Sequence, residues 1–205
     1  MKITILGNNS ALPAYGRYPS CQMVSLYGVD IMLDCGEGAQ VQMQRYGVKW
    51  RNLEYIFISH LHGDHYFGLP GLINSMNLLG RVTPLHVFGP APLESIIRQI
   101  LDVADTKLGF PFHFHPVGGA AVQLVDTPSF SVSSFPVEHR IACHGFVVTL
   151  KTSGRRLLPE ACRQYGIPTA FYEQLKQGED YIPENGERVK NEWVTTDGPP
   201  PRRYA

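Results

Sequence analysis

The sequence contains few cysteines, and none of them lie in the short pairs that mark a thiolate metal site. The four cysteines are widely spaced and form no Cys-x-x-Cys motif: Cys21, Cys35, Cys143 and Cys162. Such spacing argues against a disulfide framework and against a structural zinc site held by thiolates. We therefore expect reduced thiols, most of them buried.

An excess of charge of one sign and a long apolar run are also missing. Lysine plus arginine number 18, as do aspartate plus glutamate, so any contact with nucleic acid must be local. No stretch approaches the roughly 18 apolar residues of a transmembrane helix. The first residues lack the apolar segment and small-residue cleavage site of a signal peptide. These absences predict a cytoplasmic protein with no membrane contact.

The length and apolar content predict one domain with a sizeable core, since the chain has 205 residues of which 43% are hydrophobic. Short β-type runs alternate with turn residues and with apolar residues at helical spacing. The predicted strands are residues 3–6, 23–27, 29–33, 55–58, 85–88, 112–115, 122–125, 130–135 and 145–150, and the predicted helices are 39–46, 69–79 and 92–101. Because hairpins occur among alternating strands and helices, we predict an α/β layered fold with mixed sheets.

Beyond residue 150 the pattern changes. Glycine and proline become frequent, a triple proline occurs at residues 199–201, and regular apolar spacing is lost. This composition predicts an extended, flexible arm over residues 151–201, with short helices at 159–164 and 171–176.

Four side chains of metal-ligand type lie within six residues, directly after a predicted buried strand. They belong to the segment His60-Leu61-His62-Gly63-Asp64-His65. Imidazole and carboxylate groups suit zinc, and catalytic zinc sites keep one position open for water. If the strand stops at Ser59, the loop that follows can turn His60 and His62 toward one ion and the other two ligands toward a second.

This His-x-His-x-Asp-His pattern resembles the metallo-β-lactamase superfamily, and further segments resemble its ribonuclease Z family. These segments are Leu6-Gly7 followed by Pro13, the DCGEG run at 34–38, residues 60–71, Val137-Glu138-His139-Arg140 followed by Gly145-Phe146, and residues 165–168 and 175–178. The resemblance therefore covers nearly the whole chain.

The resemblance implies a four-layer αββα sandwich, of which residues 1–205 would be the N-terminal portion, and two zinc ions per active site. His60, His62 and His139 would bind one ion. Asp64 and His65 would bind the other, with Asp64 also the candidate general base. The family's bridging aspartate and last zinc histidine would lie downstream of residue 205, so we expect the C-terminal part of the fold to be missing from this chain.

The function implied by the resemblance is a zinc-dependent endoribonuclease that removes the 3′ trailer of precursor tRNA. Residues 151–201 would correspond to the tRNA-gripping exosite of a homodimer. Two alternatives stay open, because the metal motif alone does not fix the substrate. One is a phosphodiesterase, arylsulfatase or lactonase on the same fold; the other is a non-catalytic chain that binds metal or RNA.

Other polar residues have two interpretations each. For three further histidines we expect structural or surface roles, because nothing of ligand type adjoins them: His86, His113 and His115. We expect the same of His144, which is close to His139 but falls at a position where the resembled family has no ligand. Asp34 and Glu37 either hydrogen-bond the metal loop or stabilise a turn. Lys151 and the arginine pairs at 155–156 and 202–203 either meet phosphates or are solvated surface charges.

Overall fold

A computed structural model of the chain describes residues 1–151, 154–184 and 186–205. These residues form two compact units. One consists mainly of Met1–Val125 and Val132–Val148, and the other of Asp126–Ser131 and Thr149–Tyr204.

The first unit is built on a six-stranded mixed sheet whose strand order follows the chain. Its strands are β1 Lys2–Gly7, β2 Cys21–Leu26, β3 Val29–Cys35, β4 Leu53–Phe57, β5 Leu85–Gly89 and β6 Phe112–Pro116. Strands β1 to β3 pair antiparallel, and β3 to β6 pair parallel. The prediction of a mixed sheet is confirmed.

Helices cover one face of this sheet. They are α1 Ala39–Arg45, the single turn α2 Gly63–Tyr66, α3 Leu69–Leu78 and α4 Pro92–Val103. Met43, Ile73 and Ile97 come from α1, α3 and α4 and share one buried core with strand residues such as Ile56 and Val87. Burial of each such side chain stabilises the fold by about 1.5–3 kcal/mol, so the core fixes the strand ends that carry the site.

A second sheet lies on the other face. It includes β7 Val122–Asp126, β8 Phe130–Val137 and β9 Cys143–Leu150, with β8 between the other two. Side chains alternate along a strand, so Phe57 points away from the helices that its neighbour Ile56 contacts. The Phe57 ring lies 5.2 Å, centroid to centroid, from Phe146 of β9. The layers therefore follow the order helix, sheet, sheet.

The second unit is compact, which corrects the prediction of an extended arm. It contains β10 Arg156–Leu157, α5 Pro159–Gln164, a 3₁₀ turn Thr169–Phe171, α6 Tyr172–Lys176, α7 Asn191–Val194, β11 Thr195–Thr196 and β12 Arg202–Tyr204. Its core consists of Cys162, Ile167, Leu175, Val189 and Val194. These apolar residues are irregularly spaced among glycines and prolines, so no helical or strand period reveals them.

The predicted elements are present, with ends that differ by a few residues. Strand β4 begins at Leu53 and ends at Phe57, earlier than predicted, so Ile58 and Ser59 separate it from the ligand segment. The short elements α2, α7, β10, β11 and β12 were not predicted. None of the helices in the described residues is long and apolar enough to cross a membrane.

Candidate metal centre

The predicted ligand segment lies at the carboxyl end of β4, where three elements meet. His60 and His62 lie in the loop after β4, and the helical turn α2 carries Asp64 and His65. The amide of Gly68 donates to the Cys35 carbonyl over 2.9 Å, which joins the start of α3 to the end of β3. A Cβ atom at Gly68 would lie 2.1 Å from the Gly36 carbonyl oxygen, so this approach requires glycine.

Three histidine nitrogens converge at this point. The Nε2 atom of His60 lies 3.0 Å from Nδ1 of His62, and Nε2 of His139 lies 3.1 Å from the same Nδ1 atom. His139 comes from the loop between β8 and β9. Their ligand atoms all lie within 4.8 Å of one another, and the described ranges contain no other such group of three histidines, cysteines or acids. Three imidazole nitrogens facing one point are a donor set that suits zinc.

The buried member of this group is held uncharged. Burial is the largest cause that lowers the pKa of His60 to about 4, and the nearby His65 lowers it further. Its Nδ1 atom lies 2.9 Å from the Ser59 hydroxyl and 3.7 Å from the Cys143 sulfur. A neutral ring with Nδ1 occupied in this way can present the Nε2 lone pair to a cation.

Asp34 organises the other side of the site. Its carboxylate accepts hydrogen bonds from the Ser59 amide over 2.9 Å, from the Ser20 hydroxyl over 3.0 Å and from His65 Nδ1 over 2.6 Å. Burial acts to lower the pKa of His65, but the bond and charge of Asp34 outweigh it, so that pKa is raised. Of the two alternatives for Asp34, contact with the metal loop is the one observed. Glu37 is exposed.

Asp64 lies next to the Nε2 side of the His65 ring. Its Oδ2 atom is 3.6 Å from His65 Nε2 and accepts a 2.9 Å hydrogen bond from the Ala11 amide. Burial acts to raise the pKa of Asp64, but the Ala11 bond and the neighbouring His65 lower it on balance. The group is therefore a carboxylate at neutral pH, and it lies 3.6 Å from the Nε2 atom of His65.

Arg140 and an open cleft complete the surroundings. The Arg140 guanidinium donates to Nε2 of His62 over 3.2 Å. A cleft of about 420 Å³ is lined by Glu138, His139 and Arg140, among others. Spacing in the sequence did not single out Arg140, Ser59 or Cys143. Ala11 contributes its backbone amide, and a backbone contact of this kind cannot be recognised from the residue type.

Several other predicted residues lie apart from this centre. His86 Nδ1 is 3.0 Å from His115 Nε2, so these rings are partners, contrary to the expectation that nothing of ligand type adjoins them. The His113 ring stacks on His86 at a centroid distance of 4.9 Å. His144 is buried in β9. Lys151 pairs with Asp126, and Arg155 pairs with Asp197, so both cations have acidic partners.

Comparison with known proteins places the chain in a family. Residues 1–109 match the family model described as Anti-Pycsar protein Apyc1. Ribonuclease Z of Parabacteroides distasonis is 40% identical over 204 residues, covering 99% of this chain and 67% of the relative. Ribonuclease Z of Bacteroides fragilis is 37% identical over 205 residues, covering 100% of this chain and 67% of the relative. The chain belongs to the ribonuclease Z family.

One solved structure agrees with this ribonuclease Z assignment, and a second agrees with the fold. The crystal structure of human tRNase Z, short form, is 33% identical with a TM-score of 0.67, over 72% of this chain and 64% of that chain. A metallo-β-lactamase fold protein from Bacillus subtilis has a TM-score of 0.55 at 18% identity, over 71% of this chain and 56% of its own, and shows the same fold. The predicted family and fold class are therefore confirmed. The chain spans about two thirds of the length of its curated ribonuclease Z relatives.

Proposed function

We propose that this member of the ribonuclease Z family acts as a zinc-dependent endoribonuclease that removes the 3′ trailer from precursor tRNA. The observation that carries the proposal is the convergence of His60, His62 and His139 at the end of β4. It occurs in a chain whose relatives named Ribonuclease Z match it along nearly its whole length. The fold alone would allow several hydrolase activities.

The donor atoms support a division into two metal positions. His60, His62 and His139 offer three nitrogens to one zinc ion, while Asp64 and His65 offer one oxygen and one nitrogen to a second. When bound, zinc lowers the pKa of a coordinated water to about 7 and stabilises negative charge on phosphoryl oxygens. Within the described residues the first position would have three ligands and the second would have two.

The protein's own groups orient the reaction. Asp64 is a carboxylate next to His65, so it can accept a hydrogen bond from the attacking water and act as the general base. Arg140 can only donate, so its bond to Nε2 of His62 requires the proton on Nδ1. If zinc were held through Nδ1, the ring would carry its proton on Nε2 and would no longer accept from Arg140. The Arg140 guanidinium would then be free to donate to a phosphate oxygen of the RNA.

The second unit supports recognition of folded RNA. Side chains cannot read the deep major groove of an A-form helix, so recognition of a tRNA stem rests on shape and phosphates. We infer that the exosite role predicted for residues 151–201 belongs to this compact unit. The homodimer and the cytoplasmic location stay predictions.

The substrate test compares two phosphodiesters. We expect the zinc-loaded chain to cut a precursor tRNA transcript after the acceptor stem and to leave a cyclic nucleotide largely intact. Gel analysis of the RNA and chromatography of the nucleotide measure both reactions under the same conditions. Preference for the cyclic nucleotide would assign the chain to the rival phosphodiesterase function, and cleavage of neither would support the non-catalytic alternative.

Removal of the second unit's helical part should separate RNA recognition from hydrolysis. Leu157 of β10 lies opposite Thr195 of β11 in an antiparallel pair, so residues 158–194 can be replaced by Asn-Gly, which closes a tight hairpin. Loss of a few phosphate contacts should weaken cleavage of precursor tRNA by about tenfold or more at physiological salt. Hydrolysis of bis(p-nitrophenyl) phosphate should stay near that of the unaltered chain, since the metal centre lies outside the deleted residues.

Two results of this deletion contradict the proposal. Equal loss of both activities, in a protein that keeps its melting temperature and zinc content, would mean that residues 158–194 support the centre and do not select RNA. Unchanged cleavage of precursor tRNA would mean that recognition lies elsewhere.

A further inference from the structure

The second unit presents a stacked aromatic pair on its surface. Tyr165 follows α5 and Trp193 lies in α7, with ring centroids 6.0 Å apart and an interplanar angle of 27°. Tyr165 is 42% exposed and Trp193 is 45% exposed. Large rings usually bury most of their surface, so a stacked pair that stays open to solvent is a candidate contact for a further flat ring.

A cation lies beside the pair. The ammonium nitrogen of Lys190 is 5.8 Å from the centre of the Trp193 ring. Its acidic neighbour Glu192 is 3.8 Å away, and both side chains are more than half exposed, so this ion pair holds the lysine only weakly. A positive charge next to aromatic faces complements a base that is joined to a phosphate.

The turn that carries Trp193 and Lys190 is fixed from within. The Asn191 side-chain amide donates to the carbonyls of Leu175 and Glu179, each over 2.8 Å. The Asn191 backbone amide donates to Asp180 over 2.6 Å. Val194, next to Trp193, is buried in the core of the unit. Because the surface is already ordered, binding costs little conformational entropy.

We propose that Tyr165, Trp193 and Lys190 form a stacking platform for an unpaired nucleobase of RNA, with Lys190 beside the adjoining phosphate. The inference rests on the proposed function, which supplies RNA as the ligand. The neighbouring residues Arg163 and Glu192 are exposed and polar, which favours one flat ring over a broad apolar protein surface. The platform contacts bases, whereas recognition of the tRNA stem uses shape and phosphates.

Tryptophan fluorescence tests the stacking directly. The chain has two tryptophans, so Trp50→Phe leaves Trp193 as the only indole reporter. A short oligoadenylate should quench Trp193 emission, whereas an abasic oligomer of the same length and charge should not. The Trp193→Ala variant keeps Trp50, and its binding is measured by the fluorescence anisotropy of a labelled oligoadenylate. We expect this substitution to weaken binding about tenfold. Trp193→Phe keeps a flat ring and should bind within a few-fold of the parent.

Two controls separate the platform from general effects. Ile182→Ala alters another exposed apolar side chain of the same unit and should leave binding unchanged. Lys190→Ala should reduce the salt dependence of binding, with the slope of log K against log salt falling by about 0.7 for one phosphate contact.

The results that overturn the proposal are distinct. Equal quenching by the abasic oligomer, or full affinity of Trp193→Ala, would exclude base stacking. A dimer that Trp193→Ala dissociates, with no response to RNA, would assign the surface to a second copy of the chain. Cleavage of precursor tRNA without quenching would remove the platform and keep the proposed function, whereas quenching without cleavage would keep the platform and remove that function.

Discussion

Replacement of His62 by alanine should remove zinc from the three-histidine position and with it the hydrolysis of phosphodiesters. The Nδ1 atom of His62 lies within 3.1 Å of the Nε2 atoms of His60 and His139, so it is the central nitrogen of the group. Its loss leaves two nitrogens and should weaken zinc binding by more than about a hundredfold. Metal catalysis contributes several kcal/mol, so hydrolysis should fall by about a thousandfold.

Elemental analysis of zinc per chain and hydrolysis of bis(p-nitrophenyl) phosphate measure the two effects. His113→Ala is the matched control, since His113 is an exposed histidine on β6 that lies outside the cluster. It should keep both zinc and activity. A His62→Ala protein that retains a full zinc complement would show that His62 is not a ligand and that the three-nitrogen arrangement does not hold the ion.

The ligand segment could be predicted from the sequence because its chemistry is concentrated. Four ligand-type residues in six positions after an apolar run require no knowledge of tertiary structure. His139 is different, since 77 residues separate it from His62, its partner in space. The packing of the second sheet on the first brings them together. Spacing carries no trace of that packing, and only the family resemblance singled out His139.

The second unit shows what local sequence patterns could not predict. Its glycines and prolines indicated an extended arm, because local pattern rules recognise regular periods and breakers. The unit is instead held by side chains that are distant in sequence, such as Cys162 and Val194, which share one small core. Asn191 adds bonds to the backbone of two other segments. Such contacts between irregular segments depend on the folded chain and cannot be derived from periodicity.

Asp34 could be proposed as a partner of the metal loop, and its replacement tests how far that role extends. Its carboxylate accepts three hydrogen bonds, from Ser20, Ser59 and His65. It also lies in the left-handed region, with φ of 56°. Asp34→Ala should lower the free energy of unfolding by about 3 kcal/mol, because partners of a buried acceptor are left unpaired and alanine is strained at positive φ. For a chain of this size we expect a melting temperature lower by about 10 °C.

Asp34→Asn separates stability from the orientation of His65. Asparagine tolerates positive φ, and its side-chain oxygen can still accept from the Ser59 amide. The free energy of unfolding should therefore fall by only about 1 kcal/mol. Its amide nitrogen would face His65 Nδ1 and donate to it, which moves the imidazole proton to Nε2. That tautomer has no lone pair beside Asp64, so zinc affinity at this second position should fall by about 10- to 100-fold.

Nitrogen-15 chemical shifts of the His65 ring distinguish the tautomers without an activity assay. At a pH above the raised pKa of His65, the single ring proton should be on Nδ1 in the metal-free wild type and on Nε2 in Asp34→Asn. Zinc titration of the same samples then measures the affinity. If Asp34→Asn keeps the wild-type tautomer, Asp34 stabilises the fold but does not orient His65. In that case the short hydrogen bond between Asp34 and His65 is a consequence of packing. The orientation of the Asp64 and His65 side chains is then set by the α2 turn itself.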